Sequence, residues 1–310
     1  MKNRTLHITA KSAAVKEQIE HKLSLGADSI ELQLLDELVD EYGYVSKPWR
    51  GNIDVNMLCN YPITAVHVPI SRNMIMAEYM NNPVYVKQLT NVCEMANFIG
   101  SCRETVITVV IHAELDFEKM RNTAIVWSIE QAFNDILEEN RWVKIAVENV
   151  VPVNYDGDPI LRNNYKYENV KLVKYLRGKM KHGDRVGTIL DVAHAIGSER
   201  VISTLACSLG LSIRWQAYEL DRYFQENADW CFGIHLANMD GYGIEYDKHG
   251  TPLQWDEVNG ASIEPLVLYD KYGYDCYICP EIRELDYCNC VNLRDAINII
   301  RTYQFNRATE

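Results

Sequence analysis

Eight short apolar runs recur along this chain, and most of the segments between them carry helical spacing. The runs are LHITA (6–10), SIELQL (29–34), AVHVPI (65–70), VITVVIHA (106–113), VKIAVENV (143–150), GTILDV (187–192), CFGIHLANM (231–239) and CYICPEI (276–282). Between them, KSAAVKEQIEHKLSLG (11–26) ends on Gly26, a common helix stop. NTAIVWSIEQAFNDILEEN (122–140) and VNLRDAINIIRTYQ (291–304) place apolar residues three and four apart, as an amphipathic helix does. Strands alternating with helices imply a parallel sheet, because parallel neighbours need a crossover. Eight such units in 310 residues favour a closed (β/α)8 TIM barrel over an open sheet. No Pro/Ser-rich linker interrupts the pattern, so one domain over residues 1–310 is expected.

Two connections are long, 35–64 with YGYVSKPWRGNID and 151–185 with NYDGDPILRNNYKYEN. Long loops in compact domains are usually functional or disordered. Their Tyr and Trp content favours packed lids, with Trp49 and Arg50 as residues that would cover a substrate. The same KPWRG stretch also reads as an exposed loop with one anchoring Trp.

Composition narrows the partners. Hydrophobic residues make up 47% and charged residues 24%, with a net charge of −12 and a pI near 5.2. Such a balance repels phosphodiester backbones, which makes nucleic acid an unfavoured partner. No stretch reaches the ~20 apolar residues of a membrane helix, and the N-terminus has no signal-peptide core. A cytoplasmic protein is expected, and self-association into a homo-oligomer is compatible with it. The nine cysteines read as reduced thiols. Cys276, Cys279, Cys288 and Cys290 fit zinc-site spacings poorly, and Cys276 and Cys279 should face opposite sides of a strand.

Polar residues interrupt the strands near their C-terminal ends: His67, His112, Glu148, Asp191 with His194, His235 and Glu281. A barrel gathers those ends into one ring, where enzymes of this architecture place their active sites. Singly, His67 or His112 also reads as a hydrogen-bonded histidine, and Asp191 as the N-cap of the next helix. As a set they read differently. Five of the eight histidines (His67, His112, His194, His235, His249) lie in these terminal segments beside three carboxylates. Clustered carboxylates repel and take up protons unless a cation is present. Two Glu, one Asp and one His suit Mn²⁺, Mg²⁺, Co²⁺ or Zn²⁺.

These motifs, in order, resemble the xylose-isomerase-like TIM barrels, a superfamily of sugar-phosphate isomerases and epimerases and of apurinic endonucleases. The resemblance rests on HVP at His67, EN at Glu148, DVAH with Asp191 and His194, HLANMDG followed by DKHGTPL, and PEI at Glu281. It implies a metal held by Glu148, Asp191, His235 and Glu281. In the endonuclease branch, His67 and His112 would help hold a second metal, and His194, Asp247 and His249 a third. The chain departs from that branch elsewhere: AEL follows His112 in place of Pro-Gly, HVPI lacks an aromatic after the proline, and HLANMDGYG lacks a Ser-Lys stretch.

Two enzyme readings follow. In the first, an isomerase or epimerase acts on a sugar or polyol derivative through a metal-stabilised enediolate. Glu148 and Glu281 then exchange the proton, and His194 positions a substrate hydroxyl. In the second, a multi-zinc hydrolase uses the same ring plus His67, His112, Asp247 and His249 to cleave a phosphodiester or a small phosphorylated compound. A non-catalytic barrel is the third and weakest reading.

Overall fold

The computed structural model describes residues 5–34, 37–40, 47–69, 83–112, 117–150, 167–198, 220–239, 249–253 and 263–309. Strands β1 (Thr9–Ser12), β2 (Ser29–Gln33), β3 (Ile63–His67), β4 (Ile107–His112), β5 (Val143–Glu148), β6 (Val186–Asp191), β7 (Cys231–Leu236) and β10 (Tyr277–Pro280) form one parallel sheet in that order. A bridge between Ile8 and Ile278, with the Ile278 N–H donating to the His7 carbonyl at 2.9 Å, brings the last strand back to the first. The result is the expected (β/α)8 barrel. A two-stranded antiparallel ribbon, β8 (Asn238–Met239) with β9 (His249–Thr251), extends beyond β7.

Side chains of a strand alternate between faces, and in this barrel the alternation separates two cores. Outward residues pack beneath the helices; Ile30 and Leu32 of β2 belong to this larger core. The helix Ala124–Glu139 contributes Val126, Ile129, Phe133, Ile136 and Leu137 to it, at the three- and four-residue spacing read from sequence. Inward residues form a smaller cluster of Ala65, Val110, Ala146, Ile189, Tyr277 and Cys279, with Phe232 against it. Two residues further along, the inward face of β3, β4, β5, β6, β7 and β10 turns polar. Ala65 is followed by His67, Val110 by His112, Ala146 by Glu148, Ile189 by Asp191, Gly233 by His235, and Cys279 by Glu281. The apolar layer is therefore a floor, and the polar residues stand on it.

Three details differ from the sequence expectations. The first strand runs over Thr9–Ser12 rather than 6–10, so Lys11 belongs to a strand and not to the following helix. Leu6 and Ile8 are buried, but burial and membership of the ladder are separate properties of an apolar run. The connection 151–185 contains the helix Glu168–Lys179 and a short turn at Gly183–Arg185. Its apolar side, with Val170, Leu172, Val173 and Leu176 buried, packs onto the barrel. Trp49 is buried against Phe98 with ring centroids 5.7 Å apart, and the Arg50 guanidinium lies 4.5 Å over its ring. That pair anchors its loop to the helix Pro83–Arg103, where the Asn91 side chain accepts from the Trp49 N–H.

The eight described cysteines are free thiols. Cys279 lies in the barrel floor, and no cysteine joins a metal-binding group among the described residues. No helix among the described residues is long and apolar enough to cross a membrane.

Gly233 makes room for a ring. It pairs with Tyr277 in the ladder, and a Cβ at Gly233 would overlap the Tyr277 aromatic ring. Overpacking of this kind costs about 1–3 kcal/mol. Gly233→Ala should therefore lower the urea unfolding midpoint by a corresponding amount, and an unchanged midpoint would show that the ring moves freely.

Candidate metal centre

The strand that carries Asp191 ends in a helix, and the aspartate serves both. Its Oδ1 accepts the His194 N–H at 2.6 Å, which is N-cap geometry for the helical residues 192–198. Its Oδ2 faces the mouth, 3.9 Å from His235 Nδ1 and 3.7 Å from His194 Nδ1. Capping and site-building are thus shared between two oxygens of one carboxylate. Asn149, just past β5, locks this corner by accepting the Asp191 N–H at 2.8 Å and donating to the Asp191 carbonyl at 2.9 Å. Its own carbonyl accepts from His194 Nδ1 at 2.9 Å.

Glu148 is buried among four imidazoles. His67 Nε2 lies 3.3 Å from its Oε2, His194 Nδ1 3.1 Å from its Oε1, and His235 Nδ1 3.2 Å from its Oε2. His112 Nε2 stands 3.9 Å away. Burial alone would raise this carboxyl; the charge of His235, with His194 beside the other oxygen, outweighs it and holds it well below the usual range. Burial pushes His67 the other way, below its ordinary value, with the Lys11 charge adding to the effect. His67 Nδ1 donates to the Val68 carbonyl at 2.8 Å, so a neutral ring turns its Nε2 lone pair towards Glu148.

Lone pairs facing carboxylate oxygens call for a proton or a cation between them. Two sets of side chains meet the spacing of a metal site: Glu148, Asp191, His235 and Glu281, and separately His67, His112 and Glu148, with the donor atoms of each set within 4.8 Å of one another. Glu148 Oε2, His235 Nδ1 and Glu281 Oε2 are buried atoms that make no hydrogen bond of normal geometry. Buried polar atoms are rarely left so, and three of them converge on one spot. The residues present therefore fit a divalent cation, with hard oxygens and one imidazole.

Of the residues marked out in the sequence, the structure brings together His67, His112, Glu148, Asp191, His194, His235 and Glu281. His249 opens β9, but its side chain lies outside the described residues, as does the whole of Asp247. Three participants were missed. Lys11 Nζ lies 2.6 Å from Glu281 Oε2 and 3.6 Å from Glu31 Oε1. Glu31 is fully buried, 3.1 Å from His235 Nε2. The Tyr277 hydroxyl donates to Glu31 Oε2 at 3.0 Å. The signal that could have found Lys11 and Glu31 was the inward phase of β1 and β2.

The histidines give the metal-free centre a pH dependence. Burial lowers His194, but Asp191, Glu148 and Glu281 outweigh it and pull the imidazole up to about 9. A group raised on folding stabilises the native state below its unfolded value, near 6.5, and loses that contribution as pH rises through its folded value. Chelator-treated protein should therefore lose stability between pH 6.5 and about 9, read as a falling urea midpoint. His235, also raised well above its ordinary value, adds in the same direction. Asp191→Asn should flatten the fall; an equally steep curve in that variant would remove Asp191 from the account.

No protein-family model matches the chain, and no curated protein matches it either. Solved structures do. L-ribulose 3-epimerase superposes with a TM-score of 0.59 at 12% identity, over 98% of this chain and 97% of that one. The 3-keto-D-glucoside 4-epimerase YcjR from E. coli gives 0.57 at 13% identity, over 96% and 100%. A xylose isomerase-like TIM barrel protein from Mycobacterium smegmatis, in complex with magnesium, gives 0.55 at 12% identity, over 98% of each chain. Similarity of this kind, nearly end to end and at low identity, is a statement about architecture. The chain folds as a xylose-isomerase-like TIM barrel.

Proposed function

We propose that this chain is a metal-dependent isomerase or epimerase acting on a sugar or a sugar-like small molecule. The observation that carries the reading is the convergence of Glu148 Oε2, His235 Nδ1 and Glu281 Oε2, buried atoms that make no hydrogen bond of normal geometry, beside Asp191. A divalent cation held by Glu148, Asp191, His235 and Glu281 would supply a Lewis acid for a substrate carbonyl and its neighbouring hydroxyl, making the adjacent C–H acidic and stabilising the enediolate. The epimerases of similar fold and the magnesium complex agree with this reading. One fold hosts many reactions, so the argument rests on the site.

The two glutamates have unequal surroundings. Glu281 keeps 24% of its side chain exposed, whereas Glu148 keeps 1%. Glu281 is thus the acid better placed to take a proton from a substrate and exchange it with water, and Glu148, three strands away around the ring, is its partner. His194 commits Nδ1 to the Asn149 carbonyl, so holding a substrate hydroxyl falls to its Nε2. The net charge of −12 argues for a small substrate over nucleic acid.

The group His67, His112 and Glu148 favours a second reading, a multi-zinc hydrolase with Asp247 and His249 as further ligands. Elemental analysis of protein purified without added metal separates the two. The isomerase reading expects about one divalent ion per chain, little changed in Asp247→Ala. A count near three zinc ions, with partial loss in Asp247→Ala, would establish the hydrolase centre instead.

Proton transfer through Glu281 makes a further demand. Ketose substrates turned over in heavy water should take up solvent deuterium at the carbon being rearranged, and Glu281→Gln should abolish turnover. Full activity in Glu281→Gln would end the acid–base assignment, and unlabelled product would point to hydride transfer.

A further inference from the structure

Behind the candidate metal ligands stands a buried carboxylate that the proposed chemistry does not use. Glu31, on the inward face of β2, has both oxygens within 3.1 Å of His235 Nε2. An ionised carboxylate only accepts hydrogen bonds, so Nε2 carries the ring proton. That choice decides the other nitrogen. In the neutral ring Nδ1 bears the lone pair, and it faces Glu281 Oε2 at 3.0 Å, Glu148 Oε2 at 3.2 Å and Asp191 Oδ2 at 3.9 Å. Nδ1 makes no hydrogen bond of normal geometry, although His235 is fully buried.

Glu31 is itself held in place. The Tyr277 hydroxyl donates to Oε2, and the Lys11 ammonium stands 3.6 Å from Oε1, in register with Glu31 on the neighbouring strand. Four strands, β1, β2, β7 and β10, thus contribute one residue each to an assembly around a single imidazole. Partners of this kind orient a ligating histidine and raise its basicity. We infer that Glu31, held by Tyr277 and Lys11, is a positioning residue that fixes the tautomer and orientation of His235 so that Nδ1 points at the metal. This inference rests on the metal-centre reading and deepens it.

The test uses the full chain and Co²⁺ or Zn²⁺ alone, without substrate. Glu31→Gln keeps the shape of the side chain but replaces the anionic acceptor with an amide. Losing such a partner typically weakens a metal site about 10–100-fold. Zn²⁺ competition against a chromophoric chelator should show a loss of that size, and the visible bands of the Co²⁺ form should shift at saturation. A purely structural role would lower stability but leave the saturated Co²⁺ spectrum unchanged. Tyr277→Phe keeps the carboxylate and removes one of its hydrogen bonds, so a smaller loosening in the same direction is expected.

Wild-type affinity and spectrum in Glu31→Gln would overturn the inference while leaving the metal centre intact. Absence of ion binding by the wild type would overturn both. If Glu31→Gln does not fold, Tyr277→Phe decides, and an unchanged dissociation constant there overturns the positioning role.

Discussion

A closed parallel barrel admits side chains to its interior at every second residue of each strand, and the whole centre depends on that restriction. The inward row on the later strands begins with apolar residues, Ala65, Val110, Ala146, Ile189 and Cys279, and ends with His67, His112, Glu148, Asp191 and Glu281. Because the strands are held in fixed register, as in the pairings His112 with Glu148 and Asp191 with His235, the polar residues arrive at similar heights. No single element builds the site. A slip of one residue in any strand would turn its acid or imidazole into the helix layer.

Bringing Glu31, Glu148, Asp191 and Glu281 to one mouth creates an electrostatic problem, which the chain meets in layers. Lys11 lies against Glu281 and Glu31, Tyr277 donates to Glu31, and Asn149 secures the backbone that carries Asp191. These contacts leave three buried atoms of one region, Glu148 Oε2, His235 Nδ1 and Glu281 Oε2, without a hydrogen bond of normal geometry. Burial makes poorly paired polar atoms costly, so the proposed cation has one sharply localised place to sit.

Much of this was legible in the sequence, for a physical reason. Glu148, Asp191, His235 and Glu281 each end an otherwise apolar run, and an acid or imidazole in that position has few structural explanations. Glu31 sits instead in SIELQL, whose alternation reads as a strand with one wet face. In a barrel the polar phase of β2 points inward, and Ile30 and Leu32 point out to the helices. Pattern alone does not say which face is wet. Lys11 was hidden by a boundary, since KSAAVKEQ carries helical composition while Lys11 and Ser12 still pair with β2. Tyr277 looked like any strand aromatic; its role depends on a hydroxyl reaching a residue 246 positions earlier.

Asp191 divides its carboxylate between a helix N-terminus and the candidate metal-binding set. The division restricts what can occupy the position. Asparagine could still cap but would bring no charge to the centre, histidine could ligate but would leave the first turn uncapped, and glutamate is a methylene too long for the same cap. Local folding and the proposed ion site therefore depend on one residue type, so any drift at this position away from aspartate is felt by both.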